Sequence, residues 1–241
     1  MHTAAPPCEN CLKPQHLCVC EAVDPVDNRI CVVILEHPQE KREVLGTAPI
    51  AKLQLKNAVV RVGLSWPSLK RIVGREVDYK RWGVLYLGTA KQGAAAPKDE
   101  IAVVDKAGNP VPGSAEILAG LEGIVLLDGT WSQAKTLWWR NAWLLKCRRI
   151  ILHPHFRSMY GQARREPRRE SVSTLEAAAF VLSRLEGEPE MFDRLLKPFA
   201  LLLKKMRAPR PRPAVLPPAQ PSPADTGEEA GSPPSPEAGE R

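Results

Sequence analysis

The chain has 241 residues, 44% of them hydrophobic and 25% charged, which is enough for one sizeable core and argues against a wholly disordered, collagen-like or membrane protein. No apolar run reaches the roughly 18–20 residues that span a bilayer, and Met1–Pro7 lacks the basic and apolar regions of a signal peptide. A soluble, cytoplasmic protein without a membrane partner is expected. The formal net charge of +7 favours a polyanionic partner, most simply nucleic acid.

The charge is unevenly spread. From Ala214 onward the chain carries −4, and residues 1–213 carry +11. Nine bases fall within Arg140–Glu170, around a Trp-rich stretch; Arg157, Arg164, Arg165, Arg168 and Arg169 are the candidate RNA-phosphate ligands among them. Residues 208–241 hold ten of the 24 prolines and no aromatic residue. Such a segment buries too little surface to offset its ordering entropy and reads as a disordered acidic tail.

At the other end, Cys8, Cys11, Cys18 and Cys20 form C-x2-C-x6-C-x-C. Clustered cysteines in a cytoplasmic chain are metal ligands more often than disulfides, and four thiolates close a structural zinc site. His16 can replace one ligand, and a redox role for Cys8 and Cys11 is the other alternative. Cys31 and Cys147 read as packed core residues. The expected organisation is a zinc-binding segment over 1–27, a main domain over 28–207 and the tail over 208–241.

Between these ends, apolar runs alternate with helical patterns. Ile30–Leu35, Ala58–Leu64, Trp82–Leu87, Ile124–Leu127 and Ile150–Leu152 read as strands. Helices are expected at Ile50–Leu55, Ser114–Leu121 with Ser114 as N-cap, Ser132–Leu145, and Thr174–Leu185 with a Ser173/Glu176 capping box. A further helix over Met191–Met206 should be bent or divided by Pro198. Continuous apolar strands alternating with helices predict an α/β fold, a mostly parallel sheet covered on both faces. Ligands of such sheets sit at the carboxyl ends of the strands. The turns that follow the strands contain neither a dinucleotide fingerprint nor a P-loop.

Asp128 stands out there. It ends a buried strand and is followed by Gly129, Thr130 and Trp131. Either it serves a site at the sheet edge, or Asp128 or Thr130 merely caps the next helix. The tryptophans Trp131, Trp138, Trp139 and Trp143 are core candidates, although with their spread around the helix not all need be buried in the core.

Asp128-Gly129-Thr130-Trp131 resembles the D-x-T-W signature of the DTW-domain family, tRNA-uridine aminocarboxypropyltransferases related to ribosomal-RNA enzymes of the same activity. The cysteine cluster matches that of bacterial members. His37, Pro38 and Glu40 match an H-P-x-E turn, and Arg165-Glu166-Pro167 with Ser173-Thr174-Leu175-Glu176-Ala177 resembles later segments. Many members carry Asn-Thr where this chain has Gly46-Thr47.

The resemblance implies a SPOUT-like fold, knotted near the donor site, and S-adenosylmethionine as donor. Its 3-amino-3-carboxypropyl group would pass to N3 of a tRNA uridine, releasing methylthioadenosine. Asp128, Thr130 and Trp131 are the implied catalytic residues. The donor is expected on Leu87, Gly88, Thr89, Leu127, Gly129, Leu152, Ser173 and Thr174, with zinc in a closed site away from the reaction. An RNA methyltransferase with the same donor and a non-catalytic zinc-knuckle RNA-binding module are the alternatives.

Overall fold

The computed structural model describes residues 6–85, 100–161 and 172–208. Six strands form one sheet: β1 (Cys31–Glu36), β2 (Ala58–Val62), β3 (Trp82–Leu85), β4 (Ile101–Val104), β5 (Gly123–Asp128) and β6 (Arg148–Leu152). The helices are α1 (Ala48–Gln54), α2 (Leu69–Val73), α3 (Ser114–Ala119), α4 (Trp131–Arg140), α5 (Thr174–Leu185) and α6 (Glu190–Arg207). The strand order is β2-β1-β5-β3-β6-β4. All pairings are parallel except β4 with β6. The expected mostly parallel α/β sheet is therefore present.

The central strands are apolar because both of their faces are covered. All six residues of β1 are buried, and successive side chains enter different cores. Val32 and Ile34 join a core built with α1, α3, α5 and α6. Cys31, Val33 and Leu35 join another, containing Leu69 and Ile72 of α2, Leu137 of α4, and Trp143 and Cys147. Both isolated cysteines are thus core residues, as expected.

Several boundaries differ from the sequence reading. The strand at β4 has no counterpart in it, since four residues give too short a pattern to separate from a loop. Ser114 does not cap α3. Gly113 occupies the cap position, and the Ser114 hydroxyl accepts from the Val103 N–H at 2.8 Å. The helix expected over Ser132–Leu145 ends at Arg140, and Ala142–Lys146 continues as a 3-10 turn. The stop is Asn141, which is buried. Its amide donates to the carbonyls of Leu137 and Leu64, and its carbonyl oxygen accepts from Trp66 N–H.

Pro198 does not divide α6. A proline there leaves the Arg194 carbonyl without its helical donor. The buried Gln54 side chain supplies one instead, at 2.9 Å. A residue far away in sequence therefore satisfies what the local pattern would leave open.

The N-terminal cysteine segment shares the main core. Cys11, Leu17 and Val19 are buried in the same cluster as α5 and α6. Lys205 of α6 donates to the Cys18 carbonyl, and Arg194 pairs with Asp24. Among the described residues no helix is long and apolar enough to cross a membrane.

Gly123 opens β5 against the fully buried ring of Trp82, and a methyl group added at its Cα would overlap that ring. Gly123→Ala should therefore destabilise the chain by about 1–3 kcal/mol, the usual cost of overpacking a core. Urea unfolding measures it; an unchanged midpoint would mean that the Trp82 ring moves aside freely.

Candidate functional site

The carboxyl ends of β1, β2 and β5 lie level. Glu36 is paired in register with both Val62 and Asp128. Through β3, Val125 of β5 is level with Arg149 of β6, which brings Leu152 to the height of Asp128. Leu152 is nevertheless two strands away, about 10 Å at the usual strand spacing. The edge is stitched by backbone bonds: His37 N–H donates to the Asp128 carbonyl at 3.0 Å, and Gly63 N–H to the Glu36 carbonyl at 3.1 Å.

The D-G-T-W segment turns from β5 into α4. Thr130, not Asp128, is the N-cap of α4, in a capping box with Gln133. Gly129 has φ +154°, and a Cβ there would press on Gln133 at 2.9 Å, so the tight turn requires glycine. Gln133 also donates to Gln39 at 2.9 Å, which ties this turn to the H-P-x-E turn after β1.

Asp128 is 7% exposed, and Thr174 Oγ1 donates to its Oδ1. Thr174 is the first residue of α5. It is placed by the Ser173/Glu176 capping box that the sequence predicts. Glu176 is itself fully buried. Its carboxylate accepts from Ser173 N–H, Met159 N–H and the Ser158 hydroxyl, at 2.6, 2.6 and 2.8 Å. Such bonding is what makes a buried carboxylate tolerable. The Leu175 N–H donates to Thr47 Oγ1, and the Tyr160 hydroxyl to the Leu45 carbonyl. The loop before α1 is thereby fastened to the start of α5.

Two residues at this edge, Lys13 and Glu36, escaped the sequence reading as site residues, and Glu40 of the H-P-x-E turn joins them. All are nearly fully buried. Lys13 lies two residues beyond Cys11, and its ammonium donates to the Gly46 carbonyl at 2.5 Å. Burial lowers it to about 8, while Cys11, Glu36 and Asp128 hold it up. Burial raises Glu36 to about 7, helped by the charges of Asp128 and Glu40 and opposed by Lys13 and Lys41. The edge thus gathers buried carboxylates, and the cysteine segment sends Lys13 among them. A lone Lys between cysteines carries no signal of this; only the folded contact reveals it.

The four N-terminal sulfurs lie within 4.8 Å of one another. Cys8 and Cys20 are 3.6 Å apart, and Cys11 and Cys18 are 3.8 Å apart. Backbone N–H groups of Cys11 and Asn10 pull the Cys8 thiol down to about 6. Burial, and then the neighbouring sulfurs, push Cys20 up to about 12. Sulfurs gathered in this way can hold a metal ion. His16 is not part of the cluster.

Of the remaining expected site residues, Leu127 and Gly129 flank Asp128, Trp131 is half-buried in the first turn of α4, and Arg157 is exposed. Leu87, Gly88, Thr89, Arg164, Arg165, Arg168 and Arg169 lie outside the described residues.

A mostly parallel six-stranded sheet with helices on both faces, and buried carboxylates at its carboxyl edge, defines an α/β protein. The chain belongs to the DTW domain family, whose model matches residues 5–207. It is 32% identical over 201 residues to the mouse (Mus musculus) tRNA-uridine aminocarboxypropyltransferase 2, and 31% identical over 201 residues to the protein of that name from Macaca fascicularis. Each match covers 82% of this chain, which spans 62% of those relatives. The Drosophila melanogaster protein of that name is 30% identical over 203 residues, covering 82% of this chain and 73% of the relative. No solved structure matches it significantly.

The Glu36 carboxyl makes stability depend on pH. Its folded value of about 7 lies above the ordinary 4.5, so the folded chain binds more protons between those limits. Stability therefore falls as pH rises from about 4.5 to about 7, by at most about 3 kcal/mol. Glu36→Gln should abolish that slope, so the variant gains on wild type between pH 5 and pH 8. Urea melts at both values check this; a constant difference between the two proteins would place the carboxyl in water.

Proposed function

We propose that this chain transfers the 3-amino-3-carboxypropyl group of S-adenosylmethionine to N3 of a uridine in tRNA, in the cytoplasm, releasing methylthioadenosine. The observation that carries the proposal is Asp128. It is buried at the carboxyl edge, it is not the helix cap, and it belongs to the D-G-T-W segment of a chain whose relatives are named for this transfer.

The edge suits the donor in charge. Three buried carboxylates, Glu36, Glu40 and Asp128, gather there, with Lys13 and Lys41 acting on Glu36, and the donor brings a sulfonium and an ammonium against one carboxylate, a net positive charge. When bound, it supplies a methylene that a nitrogen can attack while the carbon–sulfur bond breaks and its electron pair returns sulfur to a neutral thioether. No acid is needed for that leaving group. The chain must instead take the proton from uracil N3. Asp128 is assigned that proton, with Thr174 orienting the carboxylate. The remaining catalysis is positioning. Leu127, Gly129, Leu152, Ser173 and Thr174 are assigned to the donor, along with Leu87, Gly88 and Thr89. Trp131 lines the acceptor side, and Thr130 holds the turn. Arg157, with Arg164, Arg165, Arg168 and Arg169, is assigned to tRNA phosphates.

The proposal extends to architecture. The sheet order, with β5 inserted between β1 and β3, supports a SPOUT-like fold knotted at this edge. The chain is divided into a metal-binding segment at 1–27, a catalytic domain at 28–207 and a dispensable tail at 208–241.

Zinc is the metal assigned to the cysteines. Tetrahedral Zn–S bonds of about 2.3 Å put sulfurs roughly 3.8 Å apart, close to the Cys8–Cys20 and Cys11–Cys18 separations of 3.6 and 3.8 Å, with all four sulfurs within 4.8 Å. The site is closed, with a role in folding. Cys8→Ser combined with Cys11→Ser should therefore release the zinc and lower the melting temperature. Retention of metal by the double variant, or wild type that purifies without any, would refute the assignment.

Asp128→Asn keeps the size and one acceptor oxygen. Transfer from carboxyl-labelled donor into tRNA should fall about 10²–10⁴-fold in a single turnover at saturating donor, while the melting temperature stays near wild type. Near-wild-type transfer would remove Asp128 from the mechanism. RNA that gains label from methyl-labelled donor alone would identify a methyltransferase instead.

A further inference from the structure

The fold separates the tryptophans that the sequence groups. Trp143 is buried, and its indole N–H donates to the Trp66 carbonyl at 3.0 Å. Trp138 packs against the core beside α2 and lies 5.5 Å from the Arg149 guanidinium. Trp139 does neither. It is 80% exposed, the highest value among the described large apolar side chains that reach the surface. Nothing in the fold accounts for so large an apolar side chain in water.

Its surroundings say what it fits. Trp131, Lys135 and Trp139 follow one another at four-residue steps along α4. Each step turns about 40°, so they form a slowly drifting stripe about 12 Å long. The stripe begins in the turn that carries Asp128. Lys135 and Arg140, beside Trp139, are both exposed. From Trp131 to Arg149 the chain has five bases and no acid. An exposed indole within an acid-free basic stretch suits a ligand with a flat π-face and negative charge on either side. An unpaired nucleotide of RNA has both properties. A protein partner would need only the apolar half.

We infer that Trp139 is a stacking platform for an unpaired RNA base outside the reaction site, with Lys135 and Arg140 holding the flanking phosphates. The inference rests on the reading of this chain as a tRNA-modifying enzyme. It adds a surface that holds the substrate RNA two helical turns from the carboxylate.

The test uses the full chain, unfractionated tRNA and a single-stranded oligouridine of 12 nucleotides, with fluorescence anisotropy as the measurement. Trp139→Ala should weaken binding of both by about 5- to 150-fold, the range for one lost base stack, while Trp139→Phe keeps most of the affinity. Melting temperature and donor binding by calorimetry should not change. In transfer assays, KM for tRNA should rise while kcat at saturating tRNA stays constant. Lys135→Ala and Arg140→Ala should each reduce the slope of log Kd against log salt by about one, whereas Trp139→Ala leaves the slope intact. Trp139→Ala that binds RNA as tightly as wild type overturns the platform. So does a concentration-dependent dimer, seen in sedimentation, that the substitution abolishes with no effect on RNA. Wild type that binds no RNA overturns the transferase reading as well, so the two failures are distinguishable.

Discussion

A carboxylate held out of water at the end of a central strand is the constraint around which this fold is organised. Asp128 can be buried only if its charge is met, because an unpaired buried carboxylate costs several kcal/mol. The Thr174 hydroxyl meets part of that demand, and so α5 must begin at the sheet edge. The start of α5 is in turn set by a capping box whose Glu176 is itself buried and bonded to the 158–160 turn. That turn reaches the loop before α1 through Tyr160. One requirement for charge thus propagates through three segments distant in sequence.

The same requirement explains the cysteine segment. A sulfur cluster can stabilise a short stretch of chain anywhere on a surface. Here it packs into the main core, and its Lys13 is buried beside Glu36 and Asp128. The cysteine cluster and the acidic edge are therefore linked by two residues of backbone. A closed metal site contributes rigidity rather than chemistry. In the proposed site, that rigidity would fix the position of Lys13, which offsets the carboxylates and donates to the Gly46 carbonyl.

Much of this was legible in the sequence because its causes are local or periodic. Apolar runs located five of the six strands, since a strand buried on both faces must be apolar throughout. The Ser173/Glu176 box was readable because both partners lie in one turn. The D-G-T-W segment pointed to Asp128, although only the structure assigns the cap to Thr130. The misses have non-local causes. Gln54 satisfies a carbonyl that Pro198 abandons 140 residues later. Asn141 stops α4 through contacts with the loop at Leu64–Trp66. Lys13 becomes a site residue only when the N-terminus folds over the sheet edge. Periodicity carries no record of such contacts.

Charge is sorted as sharply as hydrophobicity. The carboxylates that face one another at the sheet edge are buried, and Glu36 pays for it with a value near neutrality. The bases around α4 and β6 lie at least partly in solvent. The exposed bases of α4 are open to a polyanion, and they adjoin the acidic edge at the D-G-T-W turn. Under the proposed transfer, an extended anionic substrate would be held from outside while a single neutral base reaches the carboxylates. A site that gripped phosphate at the carboxylates themselves would require the opposite distribution. Within the proposed function, the segregation is what long RNA held along the helix requires, and not what a small phosphorylated ligand bound at the edge would need.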